Sequence, residues 1–235
     1  GFEQIRKIIT RIRKPFASKQ TKFAGNQDNN TKMKARILIF LTIAALSGCT
    51  NGSTTKNPAR NHSHELLTDT ELSVTQTTSG KVAGYIDDGI FTYKGIPYAK
   101  AERFMPPVPA DRWNGIRSCR AYGPTCPQGK RTGWYSDEQA FSFSWDDGFA
   151  DEDCLRLNIW TPGINDGKKR PVMVWLHGGG YSAGSGQELP SYDGHNLADK
   201  GDVVVVTLNH RLNVLGFLDL SAYGEKYAYS GNAGL

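Results

Sequence analysis

The sequence predicts an α/β fold in which antiparallel strands lead into a mixed central sheet. Residues 72–99 alternate between apolar and polar side chains, the pattern of strands with one buried face. Three later segments, 155–162, 170–179 and 202–212, are rich in β-branched and aromatic residues. The last two are almost continuously apolar, as is typical of strands buried on both faces. Between them, residues 191–201 predict a short helical crossover, and this combination indicates the α/β class.

Local signals place the turns and the end of this helix. Ser79-Gly80 and Asp88-Gly89 are dipeptides that favour tight turns, so residues 72–99 predict a meander of three short strands. The helix is expected to end at Gly201, because glycine readily ends helices.

The positive charge of the chain lies almost entirely before its folded part. The formal net charge is +5, and residues 1–32 alone hold eight Lys/Arg against two Asp/Glu. From Cys49 onward, 18 basic residues face 21 acidic ones. This balance, without a basic stripe interleaved with aromatic residues, offers no electrostatic footprint for a phosphate backbone, so we expect no nucleic-acid partner.

Residues 33–48 predict an export signal. A short basic segment from Met33 precedes the apolar run Ile37–Leu46, which is shorter than the about 20 apolar residues that a membrane-spanning helix needs. The ending Leu-Ser-Gly-Cys at Cys49 resembles the lipobox of bacterial lipoproteins, which implies cleavage before Cys49 and acylation of its thiol. An ordinary signal peptide with a coincidental cysteine is the alternative. The lipobox predicts a lipid anchor at Cys49 and a place in the cell envelope, at the outer membrane or the cell surface.

Two further segments flank the signal. We interpret residues 1–32 as misassigned upstream translation, because a signal peptide normally starts a chain; a basic amphipathic helix on a membrane surface is the alternative. Residues 49–71 are polar and poor in apolar side chains, so they predict a flexible tether. His62 and His64 could form a weak metal pair there, but a solvated linker is the preferred interpretation.

Residues 72–235 carry a set of motifs that points to one family. In order, the motifs are GIPYA (95–99), ERFMPP (102–107), YGPTCPQ (122–128), EDCLRLNIWTP (152–162), PVMVWLHGGGY (171–181), VVVVTLNHRLNVLGFL (203–218) and GNAGL (231–235). The region resembles the N-terminal part of a type-B carboxylesterase, in the cholinesterase and para-nitrobenzyl-esterase branch of the α/β-hydrolases. The resemblance implies the N-terminal part of an α/β-hydrolase fold and a serine esterase that acts on small-molecule esters through an acyl-enzyme. It implies neither a cofactor nor a metal.

The resemblance also implies where the catalytic triad lies. In the family the nucleophile follows the GNAGL segment, so the serine, its acid and its base are expected beyond Leu235. We therefore expect this chain to be part of a longer protein. Residues 1–235 alone are expected to be inactive, and insoluble or partly folded because a broad apolar sheet edge is exposed.

The segment 177–186, HGGGYSAGSG, permits two incompatible interpretations. Gly-Tyr-Ser-Ala-Gly around Ser182 is a literal nucleophile-elbow pattern, whereas the three glycines after His177 are typical of an oxyanion loop. An elbow serine must lead directly into a helix, but a glycine-rich, proline-containing stretch follows Ser182, so we favour the loop. By resemblance, the backbone N–H groups of Gly179 and Gly180 hold the oxyanion, with His177 and Gly178 supporting the loop. A glycine-rich turn that merely ends a strand is the alternative.

Other candidate residues are structural. By resemblance, Cys126 pairs with Cys154 in a disulfide, which leaves Cys119 free or in competition with them. The same resemblance pairs Arg103 with Glu152 as a structural ion pair and gives Arg211 a scaffolding role. The acidic residues 146–153 do not have the spacing of an EF-hand loop, so no metal site is predicted there.

A function of another class remains open from the sequence. Some proteins of this fold have lost the serine and act as binding or adhesion modules, here on the cell envelope. The HGGG loop favours catalysis, because a pure binder has no need of an oxyanion hole.

Overall fold

The computed structural model describes Lys7 and residues 64–129, 136–146 and 148–234. The chain divides into two compact units, and every described residue belongs to the larger one. The signal segment, Cys49 and His62 lie outside the described residues, so the predictions for them stay predictions. Among the described residues, no helix is long and apolar enough to cross a bilayer.

The described residues form eleven strands in three sheets. The strands are β1 (Leu66–Leu67), β2 (Val74–Gln76), β3 (Lys81–Ala83), β4 (Tyr85–Asp87), β5 (Ile90–Pro97), β6 (Ala99–Lys100), β7 (Val108–Pro109), β8 (Ile116–Ser118), β9 (Arg156–Thr161), β10 (Val172–Trp175) and β11 (Val204–Leu208). The main sheet has the order β1-β4-β5-β9-β11-β10, and two smaller sheets contain β2-β3-β8 and β6-β7. In the main sheet all pairs are antiparallel except β10 and β11, which are parallel.

Four short α-helices accompany the sheets. They are α1 (Thr70–Ser73), α2 (Asp137–Ser142), α3 (His195–Gly201) and α4 (Asn213–Phe217), and 3₁₀ turns lie at Pro190–Tyr192, Ser221–Tyr223, Glu225–Tyr227 and Ser230–Asn232. Helix α3 connects β10 with β11 and packs on β5, β9 and β11. It ends at Gly201 as expected, although it begins four residues later than the start of the predicted crossover segment at residue 191.

The predicted meander has four strands rather than three. Gly84 divides the expected middle strand into β3 and β4, which join different sheets. A Cβ atom at Gly84 would collide with the backbone carbonyl of Thr92, so only glycine permits this close approach. The second turn is at Asp88-Gly89 as predicted, with both residues at positive φ (43° and 83°) as in a two-residue hairpin turn.

Regular structure is present within the last residues of the predicted tether. Residues 49–71 were expected to form a tether, yet Leu66 and Leu67 pair with β4. Helix α1 begins at Thr70, and the Asp69 side chain caps it by accepting a hydrogen bond from the Glu71 N–H. Two leucines and a helix cap thus order the last residues of the expected tether.

The core lies around β9 and β11. Both strands are buried along almost their whole length, and Val206, Leu157 and Ile159 are fully buried. Strand β10 was predicted to be buried on both faces, and that prediction is wrong for the described residues. Met173 is 47% exposed and Trp175 is 46% exposed, because β10 is the edge strand and β11 is its only described neighbour.

Candidate active site

The glycine loop follows β10, at the end of the parallel strand pair of the main sheet. Gly179 and Gly180 have φ values of 115° and 59°, in a region that L-residues with side chains rarely adopt. The carbonyl of Gly179 accepts hydrogen bonds from the N–H groups of Ser182 (3.0 Å) and Ala183 (3.1 Å), which closes a tight turn. A Cβ at residue 179 would collide with the Ala183 carbonyl, so the turn requires glycine there.

The N–H groups of Gly179 and Gly180 point out of this turn. His177 Nδ1 lies 2.7 Å from the Gly178 carbonyl and must donate to it, because a carbonyl can only accept. In a trans peptide the C=O and N–H bonds are antiparallel, so the next amide, that of Gly179, points away from His177. The Gly179 carbonyl faces into the turn, so the Gly180 N–H points outward for the same reason. All three glycines are exposed, and neither N–H donates to another described residue.

Ser182 does not have the surroundings of a nucleophile on an elbow. It lies within the turn, and no helix follows it directly; the next regular element is the 3₁₀ turn at Pro190–Tyr192. Its hydroxyl donates to the Gly180 carbonyl at 3.3 Å. The local geometry is therefore that of a loop, as inferred from the glycines and the proline that follow.

Side-chain amides hold the far side of the loop. The Gln128 amide binds both backbone groups of Gly184, accepting from its N–H (2.6 Å) and donating to its carbonyl (3.0 Å). Asn209 Oδ1 accepts from the Gly186 N–H at 2.7 Å, and its Nδ2 donates to the Pro124 carbonyl at 2.9 Å. Asn209 is buried and Gln128 is half-buried, and each uses both its carbonyl and its NH₂ group in hydrogen bonds that favour one loop conformation.

Sequence reasoning missed these two amide side chains. Asn209 follows the apolar strand β11 by one residue, and a buried polar residue at the end of a core strand is a usable signal. Gln128 ends the YGPTCPQ motif, but nothing in the sequence places it beside residue 184. Only the folded structure brings these two loops together.

Four flat rings contact one another in series beside the glycines. The His177 and His210 rings stack with centroids 4.6 Å apart and an interplanar angle of 6°. The His210 ring meets Phe217 edge-on at 6.5 Å, and Phe217 contacts Tyr181 at 4.8 Å. The series of rings therefore begins at His177 and ends at Tyr181, the two residues that flank the three glycines in the sequence.

Both histidines are neutral at physiological pH. Burial lowers the pKa of His177 to about 4; the hydrogen bond to Gly178 opposes this shift, and nearby His210 adds to it. Burial also lowers the pKa of His210, whose Nδ1 lies 2.9 Å from the Arg211 carbonyl. His177 Nε2 is buried without a hydrogen-bond partner among the described residues, which agrees with a neutral ring that carries its proton on Nδ1.

The expected ion pair is formed, and it lies on the surface. Arg103 donates to Glu152 through both Nε (3.1 Å) and NH2, and the two side chains are 60% and 41% exposed. The hydrogen bond with Arg103 lowers the pKa of Glu152. This pair joins the loop after β6 to the segment before β9.

Arg211 is buried and ties three segments together. Its guanidinium donates to the backbone carbonyls of Glu102 (3.1 Å), Met105 (2.6 Å) and Ala233. Burial lowers its pKa. The scaffolding role inferred for this residue therefore has a physical basis in three carbonyl contacts.

The expected disulfide is not formed in the structure. Cys126 and Cys154 are free, buried thiols, as is Cys119. The first two lie in hydrogen-bond contact, which lowers the pKa of Cys126 and raises that of Cys154, so Cys154 is the donor. Cys126 also accepts the Leu212 N–H at 3.0 Å. The resemblance therefore identified neighbouring cysteines, but the structure has them reduced.

One group of potential metal ligands lies elsewhere. Among the described residues, His64, Asp87 and Asp88 bring ligand atoms within 4.8 Å of one another. His64 pairs with Asp87 at 2.7 Å, and Asp88 Oδ1 accepts the Glu65 N–H at 2.7 Å. These groups thus have protein partners at the exposed edge of the main sheet.

The mixed sheet, the helical crossover and the glycine loop at the end of a parallel strand define a protein of the α/β-hydrolase fold. The carboxylesterase family profile matches residues 71–235, and the chain belongs to that family. It is 43% identical over 166 residues to the para-nitrobenzyl esterase of Bacillus subtilis, covering 69% of this chain and 32% of that protein. It is 42% identical to the phenmedipham hydrolase of Pseudarthrobacter oxydans, covering 62% of this chain and 29% of that protein.

Solved structures give the same result. A Clostridium hathewayi esterase that can hydrolyse aliphatic aromatic polyesters aligns with a TM-score of 0.67 and 44% identity, over 73% of this chain and 33% of that one. A carboxylesterase from Geobacillus stearothermophilus aligns with a TM-score of 0.59 and 45% identity, over 69% and 31%. The chain spans about a third of the length of the relatives it matches.

Proposed function

We propose that the complete protein hydrolyses small-molecule carboxylic esters through a serine acyl-enzyme, with the N–H groups of Gly179 and Gly180 in its oxyanion hole. One observation carries this proposal. Two consecutive amides on an exposed loop point outward and have no partner among the described residues, because their preceding carbonyls are bound inward. Membership of the carboxylesterase family supports ester hydrolysis as the reaction class.

The reaction proceeds in two acyl-transfer steps. A serine hydroxyl loses its proton to a histidine and attacks the ester carbonyl, and the two glycine amides stabilise the negative oxygen that forms. The protonated histidine then gives its proton to the departing alcohol, leaving an acyl-enzyme. Water repeats the attack and releases the acid, which restores the serine.

The nucleophile, base and acid are proposed to follow residue 235. No helix follows Ser182 directly, and His177 and His195 make other hydrogen bonds. His177 donates to Gly178, and His195 Nε2 lies 3.0 Å from the Asp87 carbonyl at the other end of the sheet. Neither is placed to act as a base for a substrate at the glycine loop.

A panel of p-nitrophenyl esters of increasing chain length tests the activity of the complete protein. A fluorophosphonate probe should label one serine after residue 235, with loss of all hydrolysis. A protein that hydrolyses no ester and resists the probe would instead support a binding or adhesion module.

A matched pair of glycine variants tests the oxyanion hole. A Cβ at Gly180 (φ 59°) or at Gly115 (φ 75°) meets nothing within 4 Å, so alanine adds similar backbone strain at both sites. Gly180→Ala should shift the loop and misdirect one donor, so we expect kcat to fall by about ten- to a hundredfold, less than the roughly 10²–10³ that follows complete removal of an oxyanion donor. Gly115→Ala, far from the loop, should keep the wild-type kcat. Equal kcat values in the two variants would contradict the proposed role.

Export and lipid attachment at Cys49 are the second part of the proposal. The supporting observation is the basic start, the apolar run Ile37–Leu46 and the small residues before the cysteine. Radiolabelled palmitate should enter the wild-type protein in bacterial cells, and Cys49→Ala should abolish both labelling and membrane retention. Labelling that survives Cys49→Ala would rule out this anchor.

A further inference from the structure

The strongest unassigned feature is the pair of stacked imidazoles beside the glycine loop. Strands β10 and β11 are parallel neighbours, with Trp175 beside Thr207. His177 lies two residues beyond Trp175, and His210 lies three residues beyond Thr207. The parallel register thus brings the two histidines together just where the loop begins.

The His177 ring is confined on two sides. Its Nδ1 and Cε1 atoms lie against Gly184, where even a Cβ atom would collide with the ring. The His210 ring stacks against it, nearly parallel, at 4.6 Å. Gly184 and His210 thus limit how far the His177 ring can tilt or shift.

The position of this ring sets the direction of a catalytic amide. The Nδ1–H group of His177 holds the Gly178 carbonyl at 2.7 Å, and the peptide from residue 178 to 179 turns as one plane. If the ring tilts, the carbonyl follows or loses its donor, and the Gly179 N–H changes direction. The direction of the Gly179 N–H therefore depends on the stacking of His177 on His210.

His210 is itself held firmly enough to act as a support. It is 6% exposed, its Nδ1 lies 2.9 Å from the Arg211 carbonyl, and the Phe217 ring meets its edge. The guanidinium of Arg211 is fixed by three backbone carbonyls. The support therefore leads from His177 into a rigid part of the core.

We infer that His210 is a positioning residue for ester hydrolysis: its flat ring holds His177 so that the Gly179 N–H faces the substrate oxygen. The inference rests on the proposed function of the glycine loop. His210 does not touch the substrate, and a flat ring of similar size should replace it.

The test uses the complete protein and four variants. His210→Ala removes the ring, His210→Leu fills the volume without a flat face, and His210→Phe restores the flat face. His195→Ala removes a half-buried histidine that contacts the Asp87 carbonyl, and it serves as the matched control.

Kinetics separate positioning from general packing. His210→Ala and His210→Leu should lower kcat by about tenfold or more and change KM by less than about threefold. The reason is that a misdirected N–H stabilises the transition state less, whereas the binding of the substrate in its ground state depends little on this donor. His210→Phe and the His195→Ala control should retain kcat within about threefold of wild type. A native kcat in His210→Leu, or an equal loss in His210→Phe, would overturn the inference.

Crystal structures of the same variants give a readout that does not need activity. In His210→Leu the peptide from residue 178 to 179 should rotate, whereas in His210→Phe it should keep its wild-type direction. If the wild-type protein hydrolyses no ester, the proposed function fails. The rotation of this peptide then decides whether His210 holds His177 and the Gly179 N–H in position. An unrotated peptide in His210→Leu would then refute it.

Discussion

Strands β10 and β11 are both valine-containing and largely apolar, but they have very different surroundings. β11 (VVVTL) is buried at every residue between β9 and β10, whereas β10 (VMVW) is largely exposed at the edge of the sheet. Both end in a histidine-containing loop, and these two loops meet at the stacked rings. The comparison shows that apolar composition identifies a strand, while its burial depends on how many neighbours the rest of the protein supplies.

The largest expected effect comes from a charge in β11. Val206 is fully buried, so Val206→Asp would place a carboxylate in the core without a partner. We expect a loss of about 3–5 kcal/mol or failure to fold, since an uncompensated buried charge is among the most destabilising changes. Urea denaturation of the complete protein, with Val206→Ala as the milder reference, measures it. A variant as stable as the alanine reference would contradict the burial of β11.

The same change in β10 tests what covers the edge strand. Val174 is 37% exposed, so Val174→Asp should reduce the aggregation of residues 64–235. In the complete protein, Val174→Asp should be about as harmful as Val206→Asp if a further strand or helix covers β10. Light scattering of the shorter chain and denaturation of the complete protein give the two halves of this test. If Val174→Asp is tolerated in the complete protein as well as in the shorter chain, β10 is an edge strand in the complete protein too.

The histidines at the ends of the two strands give an intermediate effect that depends on pH. His177 has a pKa of about 4 in the folded state, below the usual value of about 6.5 in an unfolded chain. Between these values the unfolded chain binds more protons, so the free energy of unfolding should fall as the pH falls from about 6.5 to about 4. The loss from His177 amounts to about 3 kcal/mol, and His210 adds to it in the same direction.

His177→Phe isolates this contribution, because phenylalanine can stack on His210 but cannot take up a proton. The variant should lose a substantial part of the acid-dependent change in the free energy of unfolding, as measured by urea denaturation at pH 7 and pH 4.5. If the wild type and the variant lose the same free energy on acidification, His177 is not the buried neutral group that the structure places there.

The sequence was sufficient for elements whose signals are local. Strands β9, β10 and β11 lie within the predicted segments, and the Asp88-Gly89 turn is where its dipeptide places it. The glycines at 179 and 180 were recognisable because their required backbone conformation is a property of one short stretch.

Features that depend on distant contacts could not be predicted. The exposure of β10 depends on its neighbours, and the division of the meander depends on the approach of Gly84 to Thr92. Gln128 reaches Gly184 across 56 residues of sequence. The stack of His177 on His210 exists only because their strands are parallel neighbours in one register.

The smallest expected effect lies at the surface, away from both strands. Arg103 and Glu152 form two hydrogen bonds, but both side chains are solvent-exposed, where water screens the attraction and two long side chains lose entropy. Glu152→Gln keeps the shape and one acceptor, so the melting temperature should not change measurably. Arg103→Met, which removes every donor, serves as the stronger variant and should also leave kcat unchanged. A clear loss of stability in Glu152→Gln would mean that the complete protein buries this pair.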